Sequence, residues 1–392
     1  MPSETIKLTA KFKLKETPEG LDELFQTYRE IVNFLITHAF ENNVTSFYRL
    51  KKETYKGLRK EYLELPSHYL YTACQMATSI YKSYRKMKRK GKAKGRPVFR
   101  KDVIMLDDHL FKLDLEKRVI KLSIPKGRIQ LEFYPAKYHE KFKRWKVGQA
   151  WLVRTSKGVF LNVVFSKDGE VREPTTFVGV DLNENNVTLS LPNGEFVQII
   201  THEREIRTGY FVKRQKIQQK IRAGRKREEL LEKYGEREKN TLNDLYHKLA
   251  NKIVELAEKY GGLALEDLTE IRDSIRYSAE INGRLHRWSF RKLQSIIEYK
   301  AKLKGVRVVF VNPAYTSSLC PVCGEKLSPN GHRVLKCKCG FEADRDVVGS
   351  WNIRLRALKM WGVTVPPESR PMKMGGWKVS RNEAYALYTS YG

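Results

Sequence analysis

Four of the five cysteines in this 392-residue chain fall within twenty residues, and their spacing limits what that stretch can fold into. The pair Cys320-Pro-Val-Cys323 is separated by thirteen residues from the pair Cys337-Lys-Cys339, and a glycine follows each pair. Two such pairs can place four thiolates around one tetrahedral Zn²⁺. The spacing therefore predicts a zinc ribbon. The metal should be structural, because four sulfur ligands leave no open position for a reactive water.

The charge of the chain points to a polyanionic partner. Lys and Arg number 75 against 45 Asp and Glu, which gives a formal net charge of +30. A surplus of this size is typical of proteins that bind nucleic acid or an anionic membrane surface. No run of 18 apolar residues could span a bilayer, and residues 1–15 lack the apolar segment of a secretory signal. The basic residues do not lie on one amphipathic helix, so we expect no membrane partner.

One segment, residues 82–101, supplies basic residues without any acidic residue. A solvated helix face normally mixes the two signs, and Gly91, Gly95 and Pro97 interrupt a helix here. We therefore interpret the segment as a phosphate contact rather than as a solvated face. The candidate nucleic-acid contacts are Lys82, Arg85, Lys86, Lys88, Arg89, Lys90, Arg96 and Arg100. A second basic stretch, residues 214–227, fits a solvated polar hairpin and a nucleic-acid contact equally well.

The first half of the chain is predicted to fold in the order strand, helices, strands. Residues 6–14 alternate apolar and polar side chains, residues 17–90 show helical spacing with a break at Pro66-Ser67, and residues 103–166 alternate again. Cys74 lies inside the helical part and is expected to be a buried thiol. A helical insertion into a small barrel fits this order.

The second half predicts a different sheet. Residues 177–200 indicate three strands joined by turns, and two long polar helices follow over about 203–236 and 237–260. A short buried strand comes next at 263–268. The pattern then predicts a helix over about 284–304, a strand at 306–312 and, after the cysteines, a helix over about 347–360.

Three acidic positions stand beside these predicted strands. Asp181 ends an apolar strand, Glu266 follows another, and Asp344 and Asp346 precede the last helix. Each alone could be a turn or a helix cap, and Asp346 could be the N-cap of that helix. Their order along the chain is that of an RNase H-like nuclease. Three converging carboxylates would repel one another unless divalent cations, of which Mg²⁺ suits oxygen ligands, bridged them.

The sequence resembles the TnpB (OrfB) family of transposon-encoded RNA-guided nucleases, which are related to compact type V CRISPR effectors. The matching stretches are spread over most of the chain, whereas the first 80 residues match only in general character. They are GRPVFRK at 95–101, VGVDLNENNVTL at 178–189, LYHKLANKIVELAEKYGGLALEDL at 245–268, Arg284, Trp288-Ser289-Phe290, Tyr299-Lys300-Ala301, Gly305, TSSLCPVCG at 316–324 and CKCGFEADRDVVGSWNI at 337–353.

The resemblance implies a multidomain α/β architecture. An N-terminal β-barrel (wedge) domain at 1–15 and 96–172 would carry a helical recognition insertion at 16–95. An RNase H-like RuvC nuclease domain at 173–312 and 344–360 would contain an inserted zinc ribbon at 313–343, and a tail at 361–392 would follow.

The same resemblance assigns roles to the acidic residues. Asp181, Glu266 and Asp346 would be the catalytic acids that hold two Mg²⁺, with Asp344 as an alternative ligand, and Cys320, Cys323, Cys337 and Cys339 would hold one structural Zn²⁺. This sequence departs from the family where Asn-Ala-Ala becomes Val348-Gly349-Ser350.

The implied partners are a guide RNA from the transposon end and a double-stranded DNA target with a short adjacent motif. The implied setting is the cytoplasm of a prokaryote, and a monomer is favoured. Two alternatives stay open. The chain could be an RNA-guided DNA-binding repressor without nuclease activity, or a transposase that performs strand transfer on the same fold.

Overall fold

The computed structural model describes residues 3–18, 20–125, 127–268, 288–331, 333–362 and 379–383. The chain forms two compact units, one of Thr5–Asp168 and one of Met1–Glu4 with Gly169–Gly392. Residue 284, where the sequence predicts a helix start, lies outside the described residues, as does most of the predicted tail.

The first unit confirms the predicted order of strand, helices and strands. Its elements are β1 (Ser3–Lys13), α1 (Leu21–Glu41), α2 (Phe47–Glu61), α3 (His68–Arg89), β2 (Val103–Leu106), β3 (Phe111–Asp114), β4 (Val119–Ile124), β5 (Gly127–Glu132), a 3₁₀-helix (Lys137–Phe142), β6 (Lys146–Thr155) and β7 (Gly158–Glu170).

The helices of this unit begin where the sequence supplies a start signal. The Ser46 hydroxyl caps α2 by accepting from the backbone N–H of Arg49 at 3.5 Å. Helix α3 begins directly after the Pro66-Ser67 break. Its apolar face is buried, and the Cys74 thiol is fully buried, as predicted.

The strands of the first unit form two sheets. One sheet has the order β1-β7-β6-β2 and the other has the order β3-β4-β5. An antiparallel bridge between Leu14 and Phe133 connects the end of β1 with the end of β5. The three helices and both sheets share one hydrophobic core. A closed barrel stays a prediction, since the strands are described as two separate sheets.

The second unit is built on a larger sheet. Its elements are β8 (Thr176–Leu182), β9 (Asn186–Ser190), β10 (Phe196–Ile200), α4 (Glu203–Lys220), α5 (Arg225–Glu258), β11 (Gly261–Glu266), α6 (Phe290–Leu303), β12 (Arg307–Val311), β13 (Ser328–Pro329), β14 (Val334–Lys336), β15 (Glu342–Asp344), α7 (Arg345–Met360) and β16 (Val379–Glu383).

The large sheet mixes both strand directions. Its order is β12-β11-β8-β9-β10-β16, in which β8, β9 and β10 form an antiparallel meander and β11 runs parallel to both β8 and β12. The three short strands β13, β14 and β15 form a separate sheet around the cysteine-rich segment. None of the helices in the described part of the chain combines the length and apolar character needed to cross a membrane.

The predicted division of the two long helices near residue 236 was wrong. The break lies at residues 221–224, where Gly224 adopts a φ of 154° that side chains rarely tolerate. Gly235 instead lies inside α5. A glycine costs a helix only about 1 kcal/mol. The run of buried residues from Leu242 to Ala257 offsets this cost by packing in the core of the large sheet.

The last helix, α7, packs directly on β8, and a glycine allows this contact. A Cβ added at Gly179 would lie 2.1 Å from the carbonyl oxygen of Ser350 and 2.7 Å from Cβ of Arg354. The buried Arg354 side chain crosses the same contact, because its Nε donates to the carbonyl oxygen of Phe177 at 3.0 Å. This close approach places the N-terminal turn of α7 beside the carboxyl end of β8.

Candidate active site and cysteine cluster

Two parallel neighbours in the large sheet bring the first two acids together. Strand β11 pairs with β8 in a register that sets Leu265 opposite Val180. Asp181 and Glu266 are the next residues of their strands, so both carboxylates leave the sheet at the same edge. This edge, at the carboxyl ends of parallel strands, is where α/β sheets usually bind ligands.

The third acid comes from the first turn of α7. The N-cap of this helix is Asp344, whose Oδ1 accepts from the backbone N–H of Asp346 at 2.8 Å. The alternative in which Asp346 itself is the N-cap was therefore wrong. Because Asp344 takes the capping position, the Asp346 carboxylate is free to point toward the other two acids.

Burial and mutual repulsion disfavour the charged form of these acids. Asp181 is 7% exposed and Asp346 is 6% exposed. Burial, with the nearby charges of Glu266 and Asp346, raises the pKa of Asp181 to about 8. Burial also raises the pKa of Glu266 and of Asp346. The cluster therefore resists full ionisation at neutral pH unless a cation joins it.

Neutral donors hold each carboxylate in place. Asn183 Nδ2 donates to Asp181 Oδ2 at 2.9 Å, and Asn186 Nδ2 donates to Asp346 Oδ2 at 3.0 Å. The Thr316 hydroxyl donates to Glu266 Oε1. Asn183 lies in the turn after β8, Asn186 begins β9 and Thr316 lies in the loop after β12, so three segments fix the orientation of the acids. The sequence analysis singled out none of these donors for this role.

Arg333 is a charged partner that the sequence analysis also missed. It lies just before β14, and its guanidinium pairs with Asp346 Oδ2 and, through Nε, with Asp344 Oδ2 at 3.2 Å. This contact lowers the pKa of Asp346 and partly opposes the effect of burial. The sequence around Arg333 does not indicate that this arginine pairs with the acids, because its partners lie on other elements.

Gly349 is one of the three positions, 348–350, at which the chain departs from the family pattern, and it lies beside Asp181. A Cβ added there would lie 3.1 Å from Asp181 Oδ2 and 3.5 Å from Ser317 Oγ, so α7 comes very close to the Asp181 side chain. Glycine gives the carboxylate more room than the alanine of the family pattern would. The altered stretch is therefore compatible with an intact cluster of acids.

The four cysteines meet as the spacing predicts. Their Sγ atoms all lie within 4.8 Å of one another, with 3.7 Å between Cys320 and Cys339 and 3.4 Å between Cys323 and Cys337. Tetrahedral Zn²⁺ with bonds of about 2.3 Å needs sulfur atoms about 3.8 Å apart. A backbone N–H from Phe341 lowers the pKa of Cys339 to about 7, whereas burial raises the pKa of Cys320 when no metal is bound. The donor set therefore fits Zn²⁺.

The carboxylate cluster is wider than the cysteine cluster. In the part of the chain that the structure describes, the carboxylate oxygens of Asp181, Glu266 and Asp346 do not all lie within 4.8 Å of one another.

The structure divides the candidate nucleic-acid residues into two sets. Lys82, Arg85, Lys86 and Arg89 recur at helical spacing on α3 and line a cleft of about 400 Å³ together with Thr45. We call this cleft the basic groove. The other candidates lie outside it: Lys88, Lys90, Arg96 and Arg100 are exposed elsewhere on α3 or on the segment that follows it.

The described geometry is that of a mixed α/β protein with several sheets, one cluster of three carboxylates and one cluster of four cysteines. Family models match two parts of the chain. The "Cas12f1-like, TNB domain" model matches residues 290–353, and the model of the uncharacterized protein MJ0013 family matches residues 24–123.

Curated relatives share much of the sequence. The TnpB-like protein MJ0751 of Methanocaldococcus jannaschii is 36% identical over 276 residues, which cover 66% of this chain and 98% of that protein. The CRISPR-associated endodeoxyribonuclease Cas12f1 of Syntrophomonas palmitatica is 31% identical over 219 residues, 51% of this chain and 43% of its own. The chain therefore belongs to the TnpB-like family, which is related to compact type V effectors.

Solved structures agree on the fold. Cas12f1 in a complex with sgRNA and target DNA matches with a TM-score of 0.55 at 15% identity, over 89% of this chain and 99% of that chain. The mini-RNA-guided endonuclease CRISPR-Cas_phi3 matches with a TM-score of 0.52 at 12% identity, over 93% of each chain.

Proposed function

We propose that the chain is a transposon-associated, RNA-guided DNA endonuclease that hydrolyses DNA at Asp181, Glu266 and Asp346. The observation that carries this proposal is the convergence of these three carboxylates, from segments far apart in the sequence, at one edge of the large sheet. Buried acids that repel one another are costly to a fold, and a divalent metal site is the usual reason to keep them.

The carboxylate set fits Mg²⁺, which prefers oxygen ligands. Two bound Mg²⁺ ions would stabilise the attacking and leaving oxygens of an in-line displacement at phosphorus. The protein's own contribution is orientation. Asn183, Asn186 and Thr316 fix the three carboxylates. Arg333 neutralises Asp346 without metal, and it would have to release that oxygen for a cation to bind.

The basic groove supports a nucleic-acid partner. Four cations converge there, and no acidic side chain lines it. The relatives named as RNA-guided enzymes or solved with guide RNA and target DNA suggest the division of labour. Base pairing with the guide would read the target sequence, while the protein would hold the RNA and read a short motif beside the target. We also propose that the protein acts as a monomer in the cytoplasm of a prokaryote.

The domain division also belongs to the proposal. Residues 1–15 and 96–172 would form a wedge barrel around a recognition insertion at 16–95. A RuvC-like nuclease domain would comprise 173–312 and 344–360, with a Zn²⁺ ribbon at 313–343 and a tail at 361–392. The sheet order of the second unit, a meander flanked by parallel strands, supports the RNase H-like assignment.

Two other functions fit parts of the molecule. A nuclease-inactive repressor would bind the same partners, and the altered Val348-Gly349-Ser350 stretch motivates it. The room that Gly349 leaves beside Asp181 weighs against it. A transposase could use the same three acids for strand transfer, and it would yield joined transposon ends instead of simple breaks.

The test compares wild type with Asp181→Ala, each purified with its bound RNA and offered a matching DNA target in Mg²⁺ or EDTA. We expect wild type to cleave only in Mg²⁺ and the variant to lose about 10³-fold in rate or more, because the metal interactions supply several kcal/mol. Binding of RNA and target should be nearly equal. Equal cleavage by both proteins would refute the assignment of the site. Absence of any product from wild type in both Mg²⁺ and EDTA would favour the repressor. Sequencing of the bound RNA tests the transposon-end origin.

A further inference from the structure

A strained and exposed tyrosine stands beside the carboxylate cluster. Tyr315 has a φ of 64°, in the left-handed region that a bulky side chain rarely enters, and it is 71% exposed. It is the residue directly before Thr316, whose hydroxyl contacts Glu266. Its Cα is therefore about 3.8 Å from the Cα of a residue that touches an acid of the proposed active site.

Hydrogen bonds anchor the loop that carries Tyr315 both before and after this residue. The loop leaves β12 at the same sheet edge as the acids, since Asp267 N–H donates to the carbonyl oxygen of Val311 at 2.7 Å. The buried Asn352 side chain of α7 donates to the carbonyl oxygens of Thr316 and of Leu319, at 2.8 Å each. A flexible loop would relax an unfavourable backbone angle, whereas this loop is anchored on either side of it.

The first residue of the loop is anchored as well. The Asn312 side chain accepts from the backbone N–H of Ala314 at 2.9 Å, and the Arg356 guanidinium of α7 donates to the carbonyl oxygen of Asn312. Burial raises the pKa of Glu266, and the Thr316 hydroxyl and the charge of Arg356 partly oppose this rise. Arg356 and the loop that carries the exposed Tyr315 thus both lie near Glu266.

Strain that the surroundings fix in place is characteristic of binding and catalytic sites. Gly or Asn would occupy this left-handed position at less cost, so the backbone at Tyr315 is strained. An aromatic ring kept in solvent by a rigid loop is suited to stacking on a nucleobase, a contact that every base can make.

We propose that Tyr315 is a base-stacking residue, whose ring packs on a nucleobase next to the scissile phosphate and sets the register of the DNA strand over Asp181, Glu266 and Asp346. This inference rests on the proposed nuclease function and adds a substrate contact to it. The contact is to a single-stranded or unpaired nucleotide, because a base inside a duplex does not offer its face.

The experiment separates the effect of the Tyr315 ring on cleavage from the effect of the left-handed backbone at this position. Tyr315→Phe keeps the ring, Tyr315→Asn removes it but tolerates the left-handed backbone, and Tyr134→Asn removes a comparably exposed ring at the end of β5 as a control. Each change is made in the full-length protein with its bound RNA. Cleavage rates are measured in Mg²⁺, and thermal melting checks the fold.

A second measurement reads the contact without cleavage. In an Asp181→Ala background, target DNAs carry 2-aminopurine at one position at a time around the cut site. We expect the fluorescence at one position to be quenched with Tyr315 and with Tyr315→Phe but not with Tyr315→Asn. In the nuclease, Tyr315→Asn should cleave about 5- to 150-fold more slowly, whereas Tyr315→Phe and Tyr134→Asn stay within about twofold of wild type.

The melting temperature of Tyr315→Asn should be equal to or above that of wild type, so lost cleavage could not be ascribed to unfolding. The inference is overturned if Tyr315→Asn cleaves like an active wild type and quenching does not change. If wild type itself fails to cleave, the proposed nuclease function fails. The fluorescence then still tells whether Tyr315 stacks on a base.

Discussion

The second unit contains two clusters of like side chains, and they differ in how the chain assembles them. The four cysteines come from one stretch of twenty residues and meet through two tight turns. The three carboxylates come from two strands and a helix that are distant in sequence, and only the folded sheet brings them together. The first cluster is thus a local property of the sequence, whereas the second depends on the whole unit.

The two clusters also differ in chemistry. The cysteine cluster is compact and its four sulfurs complete a tetrahedral shell, which makes it a closed structural site. The carboxylate cluster is wider, and it accepts hydrogen bonds from the side chains of Asn183, Asn186, Thr316 and Arg333. The comparison teaches that a closed site can be specified by spacing alone, while a reactive site needs supporting residues from several elements.

Apart from replacement of the three acids themselves, the largest effect we expect comes from breaking the cysteine cluster. Cys337→Ser should remove about one equivalent of zinc per chain and disorder the strands that carry Arg333. Cleavage should fall by about 10²-fold or more, because the ribbon leads directly into α7 and Asp346. Zinc content by mass spectrometry and cleavage rates measure both effects.

Cys74→Ala is the matched control for that change. Cys74 is a buried thiol in α3, and it does not belong to the group of four cysteines that could hold a metal ion. The variant should keep its full zinc content. If Cys337→Ser also retained zinc, the four-cysteine site would be wrong.

A smaller effect should follow from changes in the basic groove, which contrasts with both clusters because it carries the opposite charge. Replacing Arg85 and Arg89 by Ala should weaken RNA binding about tenfold at 0.1 M salt. It should also reduce the slope of log K against log salt by about 1.5, because each phosphate contact contributes about 0.7–0.9. The double change of Lys88 and Lys90 to Ala, outside the groove, is the control. Equal losses in the two double variants would show that the groove has no special role.

The smallest effect concerns stability without metal. An aspartate whose pKa is higher in the folded protein than in the unfolded chain destabilises the fold once it ionises. The pKa of Asp181 rises from 3.8 to about 8, so the metal-free protein should lose stability as the pH rises through that interval. Asp181→Asn removes this charge and should melt about 2–6 °C higher than wild type in EDTA at pH 8.

At pH 4 the two proteins should melt at nearly the same temperature, because Asp181 is then protonated in the folded chain and only partly ionised in the unfolded chain, so its raised pKa costs little stability. Mg²⁺ should stabilise wild type at pH 8 and remove most of the difference. A constant difference from pH 4 to pH 8 would mean that the charge of Asp181 is not its cause.

Local patterns in the sequence were enough to predict much of the fold. The order of strands and helices in the first unit, the burial of Cys74 and the meeting of the four cysteines follow from alternation, helical spacing and paired cysteines, all of which act over a few residues. The three acids were predicted as candidates because each stands at the end of a strand or the start of a helix.

What the sequence did not reveal depends on contacts between elements. Arg333, Asn186 and Thr316 reach the acids from other segments, and their residue types are common on any surface. The helix break was misplaced because both Gly224 and Gly235 lie in the polar stretch, and only packing shows that α5 continues through Gly235. Likewise, the close contact of Gly349 with Asp181 becomes visible only when α7 is placed on β8.

The junction between β15 and α7 has a consequence for engineering. Glu342–Asp344 is the last strand of the ribbon sheet, and α7 begins at the next residue, Arg345, so no spacer separates the two. An α-helix turns about 100° per residue. Inserting or deleting one residue at this joint would rotate the Asp346 carboxylate away from its partners or pull the ribbon out of register. A ribbon grafted from a relative would therefore have to keep this joint to the residue, even if the rest of the graft varied in length.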